Sequence, residues 1–244
     1  TISAGQLFVA IAGESHDGHR FVPDALDRGV GGVLVSADRL DPLPMARIIG
    51  RHAACVTVAD TVRALGDLAR FNRRRGPLSV LAVTGSNGKT STRLLLERVV
   101  GQRFTTLATT GNLNNHIGLP LTLFRLAPAH QAAVLELGMN HAGEIHYLGG
   151  ICEPDVGVIT NVGPAHLEGL GSLENVARAK GELIDTIRAD GTAILNADDP
   201  MVAALGRRAD CSVVYFGTGH RAQVRAENIE PAEAGITFRL TTPS

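Results

Sequence analysis

The chain is organised around one segment, which reads Leu78-Ser79-Val80-Leu81-Ala82-Val83-Thr84-Gly85-Ser86-Asn87-Gly88-Lys89-Thr90. Its apolar first half predicts a buried β-strand, and a helical pattern follows the polar, glycine-containing turn. Backbone N–H groups of such a turn and of the helix start can surround a phosphate. Lys89 can then contact the β- and γ-phosphates of a nucleotide, and the Thr90 hydroxyl can bind Mg²⁺. The predicted phosphate-binding residues are Gly85, Ser86, Asn87, Gly88, Lys89 and Thr90.

This turn departs from the usual P-loop in one respect. The P-loop motif has a glycine five residues before the glycine that precedes the lysine, and this chain has Val83 there. The predicted loop is therefore shorter than the loop of most kinases and GTPases.

The residues around this segment predict an α/β fold. Short apolar strands alternate with amphipathic helices, which indicates a mostly parallel sheet covered on both faces. We predict strands at 78–84, 104–108, 132–137, 156–162, 192–196 and 212–216, and helices at 89–100, 119–124, 143–148, 173–187 and 200–207. Hairpin-like strands follow at 223–229 and 236–240.

The first part of the chain has a smaller α/β pattern of its own. A helix over Thr61 to Arg75, with Asp60 as its N-cap, leads to Gly76-Pro77. We place the domain boundary there, so residues 1–76 form an N-terminal domain and residues 77–244 form a central nucleotide-binding domain.

Composition excludes several classes of protein. Of the 244 residues, 44% are hydrophobic and 19% are charged, which excludes global disorder. The net charge of −1 gives no basic field for nucleic acid, and no apolar run reaches the ~18 residues of a membrane span. Cys55, Cys152 and Cys211 are far apart, so we expect reduced structural thiols and a cytoplasmic protein.

The use of lysine is unusual. The 23 basic residues are all arginine except Lys89 and Lys180. A lysine retained in such a sequence suggests chemistry that arginine cannot perform, although chance is the alternative. Lys180 lies in a predicted helix beside Ala177 and Ala179, where other groups can approach closely; a solvent-facing helix lysine is the alternative.

Two further candidates follow predicted strands. Glu136 ends an apolar strand, where a carboxylate is costly unless it is paired or bound to a cation. It is a candidate Mg²⁺ ligand, and a structural salt bridge is the alternative. His166 is presented by the turn after residues 156–162, and a purely structural histidine is the alternative there.

Asparagine-rich loops supply candidate polar contacts. The loop from Gly111 to Pro120 is dense in donors and acceptors, although Asx turns could also explain it. For His141 and Glu144, substrate contact or helix capping is preferred over a metal pair. The candidates for substrate contact are Asn112, Asn114, Asn115, Asn140 and His141, and Asn196 is a candidate contact for adenine.

Taken together, these segments resemble the Mur ligase family of peptidoglycan synthesis. The motifs run in the family's order over nearly the whole chain, and the asparagine loop favours the branch that adds D-alanyl-D-alanine. They are Leu7 to Gly13 with Asp17-Gly18-His19, Thr84 to Thr90, Gly111 to Pro120, Glu136 to Ile145, Asn161 to Glu168, Ala179 to Glu182 and Asn196 to Asp199.

The resemblance implies a domain organisation and a reaction. An N-terminal domain that includes Asp17 and His19 would hold the uridine nucleotide of the substrate, beside a central ATPase domain. A C-terminal Rossmann-like domain, which this chain lacks, would complete the enzyme, so we expect the chain alone to be inactive. ATP would phosphorylate the carboxylate of UDP-N-acetylmuramoyl-tripeptide, and the amine of D-alanyl-D-alanine would attack the acyl phosphate.

The resemblance also implies roles for single residues. Lys89, Glu136, His166 and Lys180 would be catalytic. Thr90 and Glu136 would hold one Mg²⁺, and His166 with a Lys180 carbamate formed from CO₂ would hold a second. The protein would act as a monomer.

Two other classes of function compete with this interpretation. Another Mur-type ligase or a folylpolyglutamate-synthase-like enzyme would share the central domain, but the folate enzyme lacks the N-terminal uridine-binding domain. A non-catalytic nucleotide-binding module would lack the second metal site, which the presence of His166 and Lys180 argues against.

Overall fold

The structure, a computed structural model, describes residues 2–13, 15–41, 43–165, 167–233 and 235–243. The chain divides into two compact units, Thr1–Leu68 and Ala69–Ser244. The predicted domain boundary at Gly76-Pro77 stays a prediction. Among the described residues, no helix combines the length and the apolar composition that a bilayer crossing requires.

The first unit contains a three-stranded parallel sheet. Strands β1 (Leu7–Val9), β2 (Gly32–Ser36) and β3 (Ala54–Val58) lie in the order β1-β2-β3. Helices α1 (Val22–Asp27) and α2 (Met45–Gly50) supply apolar side chains to the core of this unit. The core is formed mainly by Ala10, Val22, Leu26, Val33, Val35 and Ile48.

Helix α3 (Thr61–Arg73) contributes residues to both units. Asp60 Oδ1 accepts the N–H groups of Val62 and Arg63 at 2.8 and 3.0 Å, as expected of an N-cap. At the other end, the buried Arg73 guanidinium donates to Cys152 O at 2.9 Å. Both residues belong to the second unit, so this bond lies within that unit.

The second unit is an eight-stranded sheet in the order β11-β10-β9-β8-β7-β4-β6-β5. All neighbouring strands are parallel except the hairpin β10–β11. The strands are β4 (Ser79–Thr84), β5 (Thr106–Ala108), β6 (Ala132–Glu136), β7 (Val156–Ile159), β8 (Thr192–Asn196), β9 (Ser212–Gly217), β10 (Val224–Ala232) and β11 (Gly235–Thr241). The predicted α/β class with mostly parallel sheets is confirmed.

Helices follow the strands as the alternating pattern predicts. Helices α5, α6, α8 and α9 pack against one another in succession, and α4 packs against β4, β5 and β6. Their ranges are α4 (Lys89–Val100), α5 (Gly118–Leu123), α6 (Glu144–Cys152), α7 (Leu167–Leu170), α8 (Leu173–Gly181) and α9 (Pro200–Leu205). Apolar side chains from α5 to α9 and from the strands form one continuous core, to which α4 contributes none of the described buried residues.

Several predicted elements are shorter than expected, and two of them differ by three residues or more. The predicted helix over 173–187 ends at Gly181. Beyond it, Glu182 N donates to Ala179 O and Leu183 N donates to Lys180 O, three residues back, and a 3₁₀ turn follows. The predicted strand over 156–162 ends at Ile159, because the following residues turn away to contact the loop after β4.

Strand order and register place the candidate residues at one edge. Strand β4 lies between β6 and β7, with Val83 opposite Glu136 and Thr84 opposite Ile159. The carboxyl ends of these three strands therefore meet, which is where open parallel sheets bind ligands.

Candidate functional site

The loop after β4 has the glycine geometry that the motif predicts. Gly88 has φ +78°, a left-handed conformation, and α4 begins at the next residue. A Cβ on Gly85 would lie 1.9 Å from Thr160 Oγ1, so no side chain fits between the loop and the end of β7. Glycine at these positions lets the loop turn tightly at the edge of the sheet.

The segment after β7 holds this loop in place. Asn161 Oδ1 accepts the Asn87 N–H at 2.9 Å, and Asn161 Nδ2 donates to Asn87 O at 3.0 Å. Thr160 Oγ1 also donates to Asn87 O at 2.7 Å, and Gly163 N donates to Ser86 Oγ at 2.8 Å. Ser86 and Asn87 therefore stabilise the loop through these bonds, a role that sequence reasoning missed.

Lys89 lies folded over the loop. Its Nζ donates to Gly85 O at 2.8 Å and to Ser86 O at 3.2 Å. Burial lowers the pKa of Lys89, and the negative charge of Glu136 partly opposes this shift. The only positive charge of the loop is thus already placed among the backbone groups that would surround a phosphate.

Glu136 is buried and is held by hydrogen bonds. Only 3% of its surface is exposed, and its carboxylate accepts the Thr90 hydroxyl at 2.9 Å and Asn114 Nδ2 at 2.9 Å. Within the described residues it forms no ion pair, so the alternative of a structural salt bridge finds no support there. A buried carboxylate beside a hydroxyl oxygen fits Mg²⁺, which prefers oxygen ligands.

Lys180 is buried in α8, with 1% of its surface exposed, so it is not the solvent-facing lysine of the alternative interpretation. Among the described residues, its Nζ has no hydrogen-bond or ion-pair partner. Burial, together with the positive charge of Lys89, lowers the pKa of Lys180 to about 8. The neutral amine, which is the form that reacts with CO₂, is therefore more accessible than in an ordinary lysine.

A cavity of about 240 Å³ brings several of the candidates together. Its lining includes both lysines of the chain. It also includes Gly85 and the polar residues Asn114, Asn115, His116, Asn140 and Glu144. The two lysines and three of the candidate asparagines thus face a single space at the carboxyl edge of the sheet, whereas Asn112 and Asn196 do not line it.

The asparagine loop has mixed roles. Asn115 Oδ1 accepts the N–H groups of Ile117 and Gly118 at 3.2 and 2.8 Å, which is the Asx-turn chemistry of the alternative interpretation. Asn114 instead reaches Glu136, and Asn112 is exposed. A Cβ on Gly138 would lie 2.9 Å from the Asn114 amide, so this loop and the loop after β6 pack closely.

The segment between β6 and α6 is stabilised by Glu144. Its carboxylate accepts the Asn140 N–H at 2.7 Å and lies 3.2 Å from His141 Nδ1. His141 is exposed and does not line the cavity, whereas Asn140 does. Within the described residues no three His, Cys, Asp or Glu side chains gather as a metal site. Glu144 accepts the Asn140 N–H from before the helix and none of the described N–H groups at the start of α6, so it is not the cap of that helix.

Residues at the end of β8 support the loop after β7. Asn196 Nδ2 donates to Thr160 O at 2.9 Å, and Asn196 Oδ1 accepts the Asp198 N–H at 2.9 Å. Asp199 caps α9, where its Oδ1 accepts the N–H groups of Met201 and Val202, and its Oδ2 accepts the Val162 N–H at 2.7 Å. The sequence does not reveal the contact to Val162, because an aspartate before Pro200 is typical of an ordinary helix N-cap.

Asp17 and His19 lie in the first unit, beside a cavity of about 610 Å³. His19 is buried; its Nε2 accepts the Ser36 N–H at 2.9 Å, which leaves Nδ1 to donate to Asp17 Oδ1 at 2.6 Å. The backbone N–H and side chain of His19, aided by Arg39, lower the pKa of Asp17 to about 2. Substrate binding by this pair stays a prediction. His166 lies outside the described residues.

Comparison with known proteins decides the family. The model described as Mur ligase middle domain matches residues 83–244, and the model described as Mur ligase family, catalytic domain matches residues 1–73. The chain belongs to the Mur ligase family. It is 39% identical over 235 residues to the UDP-N-acetylmuramoyl-tripeptide--D-alanyl-D-alanine ligase of Bacillus subtilis. The aligned region covers 96% of this chain and 49% of that protein.

Solved structures of this family have the same fold. MurF from Acinetobacter baumannii matches with a TM-score of 0.89 and 37% identity, over 99% of this chain and 51% of that one. MurF from Thermotoga maritima in complex with ADP matches with a TM-score of 0.87 and 28% identity, over 99% and 54%. The chain thus spans about half the length of the Mur ligases it matches.

Proposed function

We propose that the complete protein joins D-alanyl-D-alanine to UDP-N-acetylmuramoyl-tripeptide and converts ATP to ADP and phosphate. The observation that carries the proposal is the cavity of about 240 Å³, where the phosphate loop, Lys180 and the asparagine loop meet beside Glu136. The MurF relatives bear this activity in their names, and one of the similar structures is an ADP complex.

The chemistry takes place in two steps. A carboxylate oxygen of the tripeptide attacks the γ-phosphorus of ATP, a P–O bond breaks, and ADP leaves. The amine of D-alanyl-D-alanine then attacks the carbonyl carbon of the acyl phosphate and loses a proton. Phosphate leaves with the former carboxylate oxygen, so one amide bond forms for each ATP consumed.

The central residues mainly bind and orient the reacting groups. The Gly85–Thr90 loop binds the phosphates, and Lys89 offsets their negative charge. Thr90 and Glu136 would hold one Mg²⁺, and His166 with a carbamate on Lys180 would hold a second. These ions would neutralise charge on the phosphates and on the carboxylate.

The remaining candidates bind the ends of the substrates. Asn196 contacts adenine from the end of β8. Asp17 and His19 contribute to the uridine-nucleotide site of the first unit. The substrate contacts on the central unit come from Asn112, Asn114, Asn115, Asn140 and His141. The protein acts as a monomer in the cytoplasm, where its three cysteines, all free in the structure, stay reduced.

The matches favour this ligase over a folylpolyglutamate-synthase-like enzyme. Residues 1–73 match a Mur ligase family model, and the B. subtilis relative covers nearly the whole chain. The test is ADP release by the complete protein with both substrates, alone and with Lys89→Arg. The exposed Arg98 on the same helix supplies a matched control, Arg98→Lys, which should keep full activity. Repeated turnover of ATP to ADP in the absence of D-alanyl-D-alanine, beyond one ADP per protein molecule, would reject the proposal.

A further inference from the structure

The last turn of α8 is held by contacts to two neighbouring helices. Gly181 packs closely against α9, since a Cβ at this position would lie 2.8 Å from Leu205 Cδ2. Glu182, the C-cap residue of α8, reaches α6 instead. Its Oε1 accepts the Gly143 N–H at 2.8 Å, and its Oε2 accepts the His146 N–H at 3.1 Å.

These two bonds cap a helix that has no cap of its own. The N-cap residue of α6 is Gly143, in a left-handed conformation with φ +88° and without a side chain. The first N–H groups of a helix need partners from elsewhere, and the positive end of the helix dipole favours a negative charge. Glu182 supplies both from a position 39 residues away from Gly143 in the sequence.

The capped end of α6 and the last turn of α8 carry two walls of the same cavity. Gly138, Met139 and Asn140 precede α6 and line the cavity of about 240 Å³. Lys180, two residues before Glu182, lines it from α8. The bonds from Glu182 therefore fix the distance between these two walls.

The position of Lys180 depends on its helix. Its Nζ has no hydrogen-bond or ion-pair partner within the described part of the chain, so no side chain there determines where the amine lies. The buried stem follows the backbone of α8, and this backbone is fixed at its end by the contacts of Gly181 and Glu182. A displacement of this turn would displace the amine by a similar amount.

We propose that Glu182 is a positioning residue that holds the Lys180 amine in the reaction cavity by capping α6. The inference rests on the proposed function, in which Lys180 acts at the reacting groups. In the described part of the chain, the Glu182 carboxylate accepts hydrogen bonds from backbone N–H groups, so its effect on the reaction passes through Lys180.

The first test measures the position of Lys180 without measuring activity. Glu182→Gln keeps the size of the side chain but removes its charge, and its NH₂ group cannot accept the second N–H. The matched control is Glu153→Gln, which changes the carboxylate at the other end of α6, where it pairs with Arg70 and Arg74. Site-resolved labelling with an amine-reactive reagent then follows Lys180, with Lys89 as the internal reference.

We expect the labelling rate of Lys180 to rise about tenfold in Glu182→Gln, as one lost charge-assisted hydrogen bond predicts for local opening. The rate should stay unchanged in Glu153→Gln, and Lys89 should be unaffected in both variants. An unchanged rate at Lys180 in Glu182→Gln, or an equal rise in the control, would overturn the proposal.

The second test uses the kinetics of the complete protein. In Glu182→Gln, kcat should fall about 10- to 100-fold, the cost of a misplaced group, while KM for ATP changes less than about twofold. In a Lys180→Ala background the same substitution should cause no further loss, because the two residues act in series. Additive losses would mean a merely structural role for Glu182 and would reject the proposal. If the unsubstituted protein shows no ligation, the proposed function fails, and the labelling result still decides the position of Lys180.

Discussion

Replacing Lys180 by methionine should stabilise the second unit while abolishing ligation. Burial and the positive charge of Lys89 lower the pKa of Lys180 from 10.5 to about 8. This difference corresponds to a cost of about 3 kcal/mol for keeping the ammonium in the folded protein at neutral pH. Methionine has a similar length and carries no charge, so it removes that cost.

The sign of the pH dependence follows from proton binding. Between pH 8 and 10.5 the unfolded chain retains a proton that folded Lys180 has released, so the free energy of unfolding rises with pH across this window. Below pH 8 both states are protonated and the full cost applies. The advantage of Lys180→Met should therefore be about 3 kcal/mol at pH 7 and should approach zero near pH 10.5.

The assay is urea unfolding at pH 7, 8, 9 and 10 in metal-free buffer without CO₂. Lys89→Met is the matched control. Its free energy of unfolding should rise less, because this substitution removes the hydrogen bonds from Lys89 Nζ to Gly85 O and Ser86 O. The reasoning is refuted if Lys180→Met is no more stable than the unsubstituted protein at pH 7, or if its advantage does not change with pH.

Three further substitutions test the site in the complete protein. Lys89→Arg should lower ADP release more than about 100-fold with the fold intact by circular dichroism, since a guanidinium fork does not fit the loop that holds the ammonium; near-normal turnover would contradict this. Lys180→Ala should lose most ligase activity and regain part of it when short carboxylates are added in place of the carbamate. Lys180→Arg should be inactive with or without them, because arginine cannot form a carbamate. Full activity of Lys180→Arg would exclude the carbamate. Asp199→Ala should lower the free energy of unfolding by about 2–4 kcal/mol, because α9 loses its cap and the Val162 N–H loses its acceptor. A loss below about 0.5 kcal/mol in chemical denaturation would show that these bonds do not stabilise the loop after β7.

Much of the central fold could be predicted because its signals are local. The strand, turn and helix around Gly85–Thr90 have clear hydrophobic periods. Glu136 is a single carboxylate at the end of an apolar strand, a pattern typical of a buried metal ligand. The scarcity of lysine in the sequence singles out Lys180, which the structure shows to be buried. Each of these predictions depends on residue types and short sequence segments, and none requires knowledge of contacts between distant parts of the chain.

The contacts that were missed join segments distant in sequence. Glu182 caps α6 from 39 residues away, and Asp199 accepts Val162 N from 37 residues away. In the sequence, Glu182 and Asp199 are ordinary residues at the end and at the start of a helix. Only the packing of α6, α8 and α9 reveals their distant partners. His19 is a similar case, since both of its ring nitrogens are satisfied by contacts that depend on the folded first unit.

The most direct test of the account follows one oxygen atom. The complete protein is incubated with ATP, D-alanyl-D-alanine and UDP-N-acetylmuramoyl-tripeptide labelled with ¹⁸O in its terminal carboxylate, and the released phosphate is analysed by mass spectrometry. The account predicts one ¹⁸O in each phosphate released, because the carboxylate oxygen that attacks the γ-phosphorus leaves with the phosphate. Amide formation with unlabelled phosphate, or phosphate release without amide formation, would contradict it.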